Sequence, residues 1–429
     1  MSNYCCLKFN KKSKSTLEEE DEEEEEVEKE VRRLEDLGKV EATATREVAM
    51  QEDNTQNTAE PVEEEEESSE EEEDFMRPIE DGDTAPTVRW HSGFQRKYVV
   101  VHDLGKGRFS MVKRCRRLRD NFEVAAKFVG RQRQSDDLTE REFHLLRRLQ
   151  HPAFPRAVAL YKATPKFSIM LTELVMGIPL LDWFFAQEEP TESKCAYFIT
   201  QLVAALQYLH SKNIAHLDVK PENILVDISK GSNIPVDEKD LENGATEDSI
   251  PFLRLVDLNS AHELQCERDS EGREGWRVPP GQGPPLLGSA EFMAPELLKS
   301  EGIGAEADLW SLGVLIYILV SGHSPFLGTS PAATCKNILS GEVRYPVEHF
   351  ATATQESCDL IQDLLMLDPK DRSNLDTVLQ HQWFNMTECE SLLPVQGLAD
   401  FAFRRTKMAS STLEVPVLHS NNIPKSMPE

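Results

Sequence analysis

The stretch "IAHLDVKPENILVD" places Asp218, Lys220 and Asn223 on a loop between two apolar runs. An Asp with a Lys two residues on and an amide five on is a poor packing solution, because each group needs a partner once water is removed. Together the three types suit a general base, a cation for a phosphate oxygen and an oxygen ligand for a metal. A second carboxylate, Asp257 in "LRLVDLNSAHEL", ends an otherwise apolar strand and suits a hard cation such as magnesium, which prefers carboxylate oxygen and bridging phosphates. Upstream, Lys127 interrupts the apolar run "VAAKFV", and Glu142 on the helix that follows is a plausible partner for a buried ammonium. Gly105 and Gly107 in "LGKGRFSMV" let a backbone pass close to phosphate oxygens, although a glycine-rich turn alone is equally a simple hairpin.

These residues need elements to hold them, and the apolar periodicity supplies candidates. "RKYVVVHDL", "MVKRCRRL" and "FEVAAKFVG" read as strands, rich in Val and Phe and bounded by Gly. "DDLTEREFHLLRRLQ" has helical spacing at Phe143, Leu145, Leu146 and Leu149. Beyond "FSIMLTELVMG" the pattern turns helical, in "KCAYFITQLVAALQYLHSKN" and again in "EADLWSLGVLIYILVSG". Strands first and helices afterwards imply an α+β chain in two segregated lobes. Two long polar connections, 229–250 and 265–285, are expected to be loops.

Charge and composition exclude several classes. The chain has 429 residues and a formal charge of -29. Residues 1–83 hold 31 acidic and 10 basic side chains, a net of -21, which leaves -8 for the rest. Self-repelling runs such as "EEEDEEEEEVEKE" offer little to bury, so 1–83 is expected to be a disordered acidic region. Such a charge argues against a nucleic-acid partner, which needs clustered Lys and Arg. The apolar run from Leu309 is too short and broken for a transmembrane segment. Eight scattered cysteines without zinc spacing fit free thiols in the cytoplasm. Cys5 and Cys6 beside several lysines suit either an acylated lipid tether or an ordinary terminus.

Taken in order, from about Tyr98 to Phe384, these features resemble those of a eukaryotic protein kinase, and the pattern continues in "EFMAPE", "DLWSLG" and "DPKDRS". Lys220 resembles the serine/threonine branch. "VSGHSPF", "TCKNI" and "QHQWF" are similar to the calmodulin-dependent group, near the myosin light chain, Trio, kalirin and obscurin kinases. The resemblance implies a bilobal kinase fold over 94–384, with a small β-rich lobe over about 94–175, a helical lobe over 176–384, and a tail over 385–429. It implies an ATP site of Leu104, Gly105, Lys106, Gly107 and Ser110 along the glycine turn, with Val112, Ala125 and Leu225 around the adenine. Glu173 to Val175 would form the hinge, with Thr172 behind it, and Lys127, held by Glu142, would anchor the phosphates. Asp218 and Lys220 would be catalytic, Asn223 and Asp257 would hold Mg2+, and Glu222 would favour a basic residue ahead of the acceptor. Glu296, Asp308 and Arg372 are implied as structural. "LADFAFRRTKM" lies where such kinases carry a calmodulin-binding, autoinhibitory helix, and it also reads as a capping or disordered tail.

The chain departs from the family pattern at several positions. Ser110 replaces the third glycine, Leu217 the arginine before the catalytic Asp, and Leu258-Asn259 the usual Phe-Gly after the metal Asp. Leu217 implies activity without loop phosphorylation. Leu258 keeps an apolar plug, and Asn tolerates a positive φ better than other non-glycine residues. Pro179 stands where an acidic substrate-binding residue is usual, with Asp182 one turn on. The leading reading is therefore a serine/threonine protein kinase. The alternatives are a pseudokinase scaffold that retains ATP and, more remotely, a small-molecule kinase.

Overall fold

The computed structural model describes residues 89–90, 93–106, 110–130, 138–164, 167–227, 251–268, 274–279, 281–283, 290–385 and 391–409. The acidic region 1–83 with Cys5 and Cys6, Gly107 of the glycine turn, and the polar stretch 229–250 lie outside the described residues. The chain divides into two compact units, one ending at Val175 and the other starting at Met176, with His151–Ala153 belonging to the second.

The first unit is a six-stranded sheet. After β1 (Arg89–Trp90) and the short α1 (Phe94–Lys97) come β2 (Tyr98–Lys106), β3 (Ser110–Arg117) and β4 (Glu123–Gly130), then α2 (Leu138–Arg148), β5 (Ala157–Thr164) and β6 (Phe167–Glu173). The spatial order is β1-β5-β6-β4-β3-β2, antiparallel except where β1 pairs with β5. Along β4 burial alternates strictly, so Val124, Ala126 and Phe128 face an aromatic core with Phe94, Tyr98 and Tyr161. Ala125 and Lys127 share the opposite face, because side chains on a strand repeat every second residue. The sequence thus puts the lone ammonium away from the apolar core by alternation alone.

The second unit is mainly helical. It contains β7 (Gly177–Pro179), α3 (Leu180–Phe185), α4 (Glu192–Ser211), β8 (Ile214–Ala215), a 3-10 turn at Pro221–Asn223, β9 (Ile224–Asp227) and β10 (Phe252–Leu255). Next are β11 (His262–Glu263), β12 (Gln265–Arg268), β13 (Glu274–Arg277) and a 3-10 turn at Ala290–Phe292. The remaining helices are α5 (Pro295–Lys299), α6 (Glu306–Ser321), α7 (Pro331–Ser340), α8 (Gln355–Leu364), α9 (Leu375–Leu379) and α10 (Val395–Ala409). Helix α6 is buried on every side from Ala307 to Ser321, as expected of a helix apolar all round. Among the described residues no helix is long and apolar enough to cross a membrane.

One expectation needed revision, and one pair of alternatives was decided. The stretch 265–285, read as a polar loop, contains an antiparallel hairpin pairing Gln265 with Arg277 and Cys266 with Trp276. Its second strand is fastened by Arg277, which bonds Glu306, and by Val278 N–H on the Ile303 carbonyl. The segment after Phe384, for which a loose tail was one reading, forms the fifteen-residue helix α10. Its buried Leu398 and Phe401 give it an apolar stripe to pack, and Gly397 meets Gly322, at the end of α6, in close backbone contact. Gly322 also takes φ 72°, so a side chain there is opposed twice over.

Candidate active site

In the first unit, Lys127 Nζ donates to both oxygens of Glu142, at 2.8 and 3.1 Å, and the carboxylate is buried. The pair lies on the strand face shared with Ala125. Val112 is registered opposite Lys127 on β3, and Thr172 opposite Ala125 on β6. Gly105 pairs with Val112 just past a register shift in the β2–β3 hairpin, and a Cβ placed there meets nothing, so the strand edge is open. Leu104 is exposed, and Ser110 opens β3 opposite Val129. Glu173 ends β6 with its N–H on the Arg156 carbonyl, which fixes the chain where it leaves the sheet toward Val175.

In the second unit, the loop around Asp218 hangs from one buried carboxylate. Asp308, on the first turn of α6, accepts from His216 N–H at 2.8 Å and Leu217 N–H at 2.7 Å, and pairs with His210 Nε2 at 2.8 Å. Burial opposes its charge, but these donors outweigh it and hold the carboxyl below its usual range. Leu217 sits at φ 60°, a conformation disfavoured for a branched side chain and sustained by the bond to Asp308 and burial of the side chain. His216 is fully buried, and burial lowers its pKa. As the neutral imidazole it accepts Asp218 N–H at Nδ1, 3.2 Å away.

Asp218 is held on one side. Its Oδ2 accepts from Lys220 Nζ at 2.6 Å and Asn223 Nδ2 at 3.0 Å, while Asn223 Nδ2 also reaches the Asp218 carbonyl at 2.9 Å. Oδ1 has no hydrogen-bond partner among the described residues. Burial would lower the Lys220 pKa, yet the Asp218 charge overrides it and raises the value, so the ammonium stays charged. The Asn223 amide spends its N–H on Asp218, which leaves Oδ1 as the atom to present to a cation. Asn223 carbonyl accepts from Val256 N–H at 2.9 Å and so ties the loop to the chain entering Asp257. The Asp257 charge acts on both His216 and Lys220. An amide oxygen and a carboxylate fit magnesium, which takes few protein ligands and completes its shell with water and phosphate oxygens.

The positive φ falls on Asp257 itself, at 66°, and not on Asn259, where a left-handed turn was allowed for in place of glycine. Leu258 is buried as an apolar plug should be. Leu225 lies on β9 between Pro179 and Arg254 of the neighbouring strands. Glu296 and Arg372 form a buried bidentate pair at 2.6 and 2.9 Å, not a surface one. Asp182 is exposed on α3.

Glu222 is occupied. Arg405 of α10 donates from Nε to Glu222 Oε1 at 2.6 Å. The neighbouring Arg404 makes two parallel bonds to Glu291, at 2.8 and 3.0 Å. Glu291 was not anticipated; "SAEFMAPE" signals it only as a carboxylate in an apolar run, a pattern that demands a cationic partner. It is 1% exposed. Burial would raise its pKa, but the Arg404 bonds prevail and hold it below its usual value. Arg405 also feels the charge of Asp218.

The protein kinase domain profile matches residues 98–384. The chain belongs to the protein kinase family. Among similar kinases, mouse death-associated protein kinase 2 is 33% identical over 334 residues, covering 74% of this chain and 82% of the relative. Chicken smooth muscle myosin light chain kinase is 30% identical over 289 residues, 67% of this chain and 13% of that much longer protein. The solved autoinhibited serine kinase domain of the giant muscle protein titin aligns at a TM-score of 0.59 and 23% identity, covering 76% of this chain and 92% of that one, a likeness of fold. The kinase fold expected from the sequence, a β-sheet lobe and a helical lobe, is the fold of this chain.

Proposed function

We infer that this kinase transfers the γ-phosphate of ATP to serine or threonine hydroxyls of protein substrates that carry basic residues near the acceptor. The observation that carries the reading is the one-sided anchoring of Asp218. With Oδ2 held by Lys220 and Asn223, Oδ1 is the atom left to orient an acceptor hydroxyl and take its proton. The hydroxyl oxygen then bonds to the γ-phosphorus as the bond to the β–γ bridging oxygen breaks, and ADP leaves. Lys220 stands beside Asp218 to steady the transferring group, and Lys127 with Glu142 is assigned to the α and β phosphates. Leu104, Gly105, Lys106, Gly107 and Ser110 are assigned to the phosphate cover, and Val112, Ala125, Leu225 and the Glu173–Val175 backbone to the adenine. Asn223 and Asp257 would hold magnesium, which supplies charge neutralisation on the phosphates. Catalysis then rests mostly on positioning and electrostatics.

We assign the catalytic domain to 94–384 and a regulatory role to the tail, because α10 places a guanidinium on Glu222. Among the described residues the cysteines are free thiols, which suits the cytoplasm. Among the described residues Phe403, 73% exposed, is the one aromatic side chain that α10 leaves open, fewer than calmodulin-type partners usually grip, and calmodulin is not the partner assigned. A scaffold without transfer would be expected to have lost one of the five polar residues Lys127, Glu142, Asp218, Asn223 and Asp257, and all five are present. The test is incorporation of labelled phosphate from ATP and magnesium into a basic serine peptide, with Asp218→Asn in parallel. Transfer lost in the variant supports the reading; equal transfer by both proteins contradicts it.

A further inference from the structure

Charge is segregated along the chain in three blocks of alternating sign. Residues 1–83 carry a net of -21; residues 84–175 hold 19 basic and 8 acidic side chains, a net of +11; and 176–429 hold 18 basic and 37 acidic, a net of -19. Phosphate transfer draws Lys106 and Lys127 from the middle block and leaves the rest of its positive excess unexplained. That excess gathers at one corner of the six-stranded sheet. Helix α1 ends on Arg96 and Lys97, and the Lys97 carbonyl accepts the Leu118 N–H at 2.8 Å, which sets the end of α1 against the β3–β4 turn. Val99 is registered opposite Arg116, so β3 leaves the sheet at this same corner with Arg114, Arg116, Arg117 and Arg119 in one run. The two nearby acids are already gripped: Glu123 takes two bonds from Arg114, and Asp120 takes two from Arg117, at 2.7 and 3.0 Å. Arg96, Arg116 and Arg119 are exposed, as is Leu118.

We propose that this corner is the docking surface for the acidic run 63–74 of the same chain, "EEEEESSEEEED". Complementary charge is the first argument. Ten carboxylates in twelve residues repel one another, and a cluster of guanidiniums relieves that repulsion, each fork meeting two carboxylate oxygens at once. Reach is the second. Fourteen residues separate Asp74 from Arg89, enough chain to extend about 50 Å. Six strands at about 4.8 Å span only about 24 Å, so the run can cross from the edge where β1 lies to the corner beyond it. Such a tether holds the run at an effective concentration on the order of millimolar. The third argument is exclusion, since the block from 176 onward is itself strongly negative and repels the run. Ion pairs at so exposed a corner are individually weak and screened by salt, which makes the contact reversible.

The test uses the full chain, the chain with Glu→Gln at 63–67 and 70–73, and Arg96→Ser/Arg116→Ser/Arg119→Ser. Carbodiimide joins a carboxylate to an amine in direct contact, so monomeric product with the run 63–74 on Lys97 is expected in the intact chain. Its yield should fall about tenfold in the triple-serine chain, roughly twofold for each exposed ion pair lost. Small-angle scattering supplies a second readout. At low salt the intact chain should have a smaller radius of gyration than either variant, and the gap should close by about 0.5 M salt, where screening acts within a few ångströms. The glutamine substitutions lie outside both folded units and keep the comparison valid if thermal unfolding shows the triple-serine chain to be impaired. Cross-links that form only in dimers place a second copy at the corner and overturn the proposal. Equal cross-link yields in the intact and triple-serine chains, or equal radii in the intact and glutamine chains at low salt, overturn it as well.

Discussion

Two arginine–glutamate contacts in the helical unit look alike in length and differ in what surrounds them. Arg372 is wholly buried, and beyond Glu296 it donates to the carbonyls of Met366 and Glu306 and lies 5.1 Å from the centre of the Trp310 ring. Arg405 is 12% exposed and its partner Glu222 is 42% exposed, so water reaches one end of the pair. The sealed contact has nowhere to go without opening the unit. A shared chemistry is thus sealed in the core at one place and open to water at the other.

The comparison can be broken in several ways. The largest effect belongs to neither pair: Asp218→Asn should lower phosphate transfer by about 10^2- to 10^4-fold while leaving peptide binding intact, since the proton acceptor is lost and the acids are not. Next, Glu296→Ala should destabilise the chain by about 3–5 kcal/mol in denaturant unfolding, because it strands a buried guanidinium. Glu222→Ala, by contrast, should change stability by no more than about 1 kcal/mol. Similar losses in the two variants would erase the distinction between the sealed contact and the open one.

Acid should act on the neighbouring Arg404–Glu291 pair and on His216. Glu291 is held below its usual pKa of 4.5, so its grip on Arg404 is complete above that pH and is lost as pH falls through the lowered value. A probe on α10 should therefore report release only below about pH 4.5. His216 acts earlier in an acid titration. Burial lowers its pKa from 6.5, so the stability that comes from keeping it neutral is full above pH 6.5 and declines as pH falls toward the lowered value. A denaturation midpoint flat between pH 7 and 5 would contradict that account.

Much of this was legible before the fold was known. Lys127 with Glu142, and Asp218 with Lys220 and Asn223, stand out because charged residues within apolar runs need partners, and the contacts found are those the spacing suggested. The Glu291–Arg404 contact was not legible, since residues 113 apart are joined only by tertiary folding. The hairpin at 265–277 was missed because its short strands are polar and carry no alternating apolar face. The left-handed turn lies at Asp257, whereas the family pattern allowed for it two residues on, where Asn259 replaces glycine.

The central claim is that Asp218, held at one oxygen by Lys220 and Asn223, is the group that orients and deprotonates the acceptor hydroxyl. Initial rates of phosphate transfer to a basic serine peptide, with ATP and magnesium, test it most directly in the intact chain and in Asp218→Asn. The variant should be slower by about 10^2- to 10^4-fold with peptide binding unchanged. Equal rates in the two proteins would contradict the account.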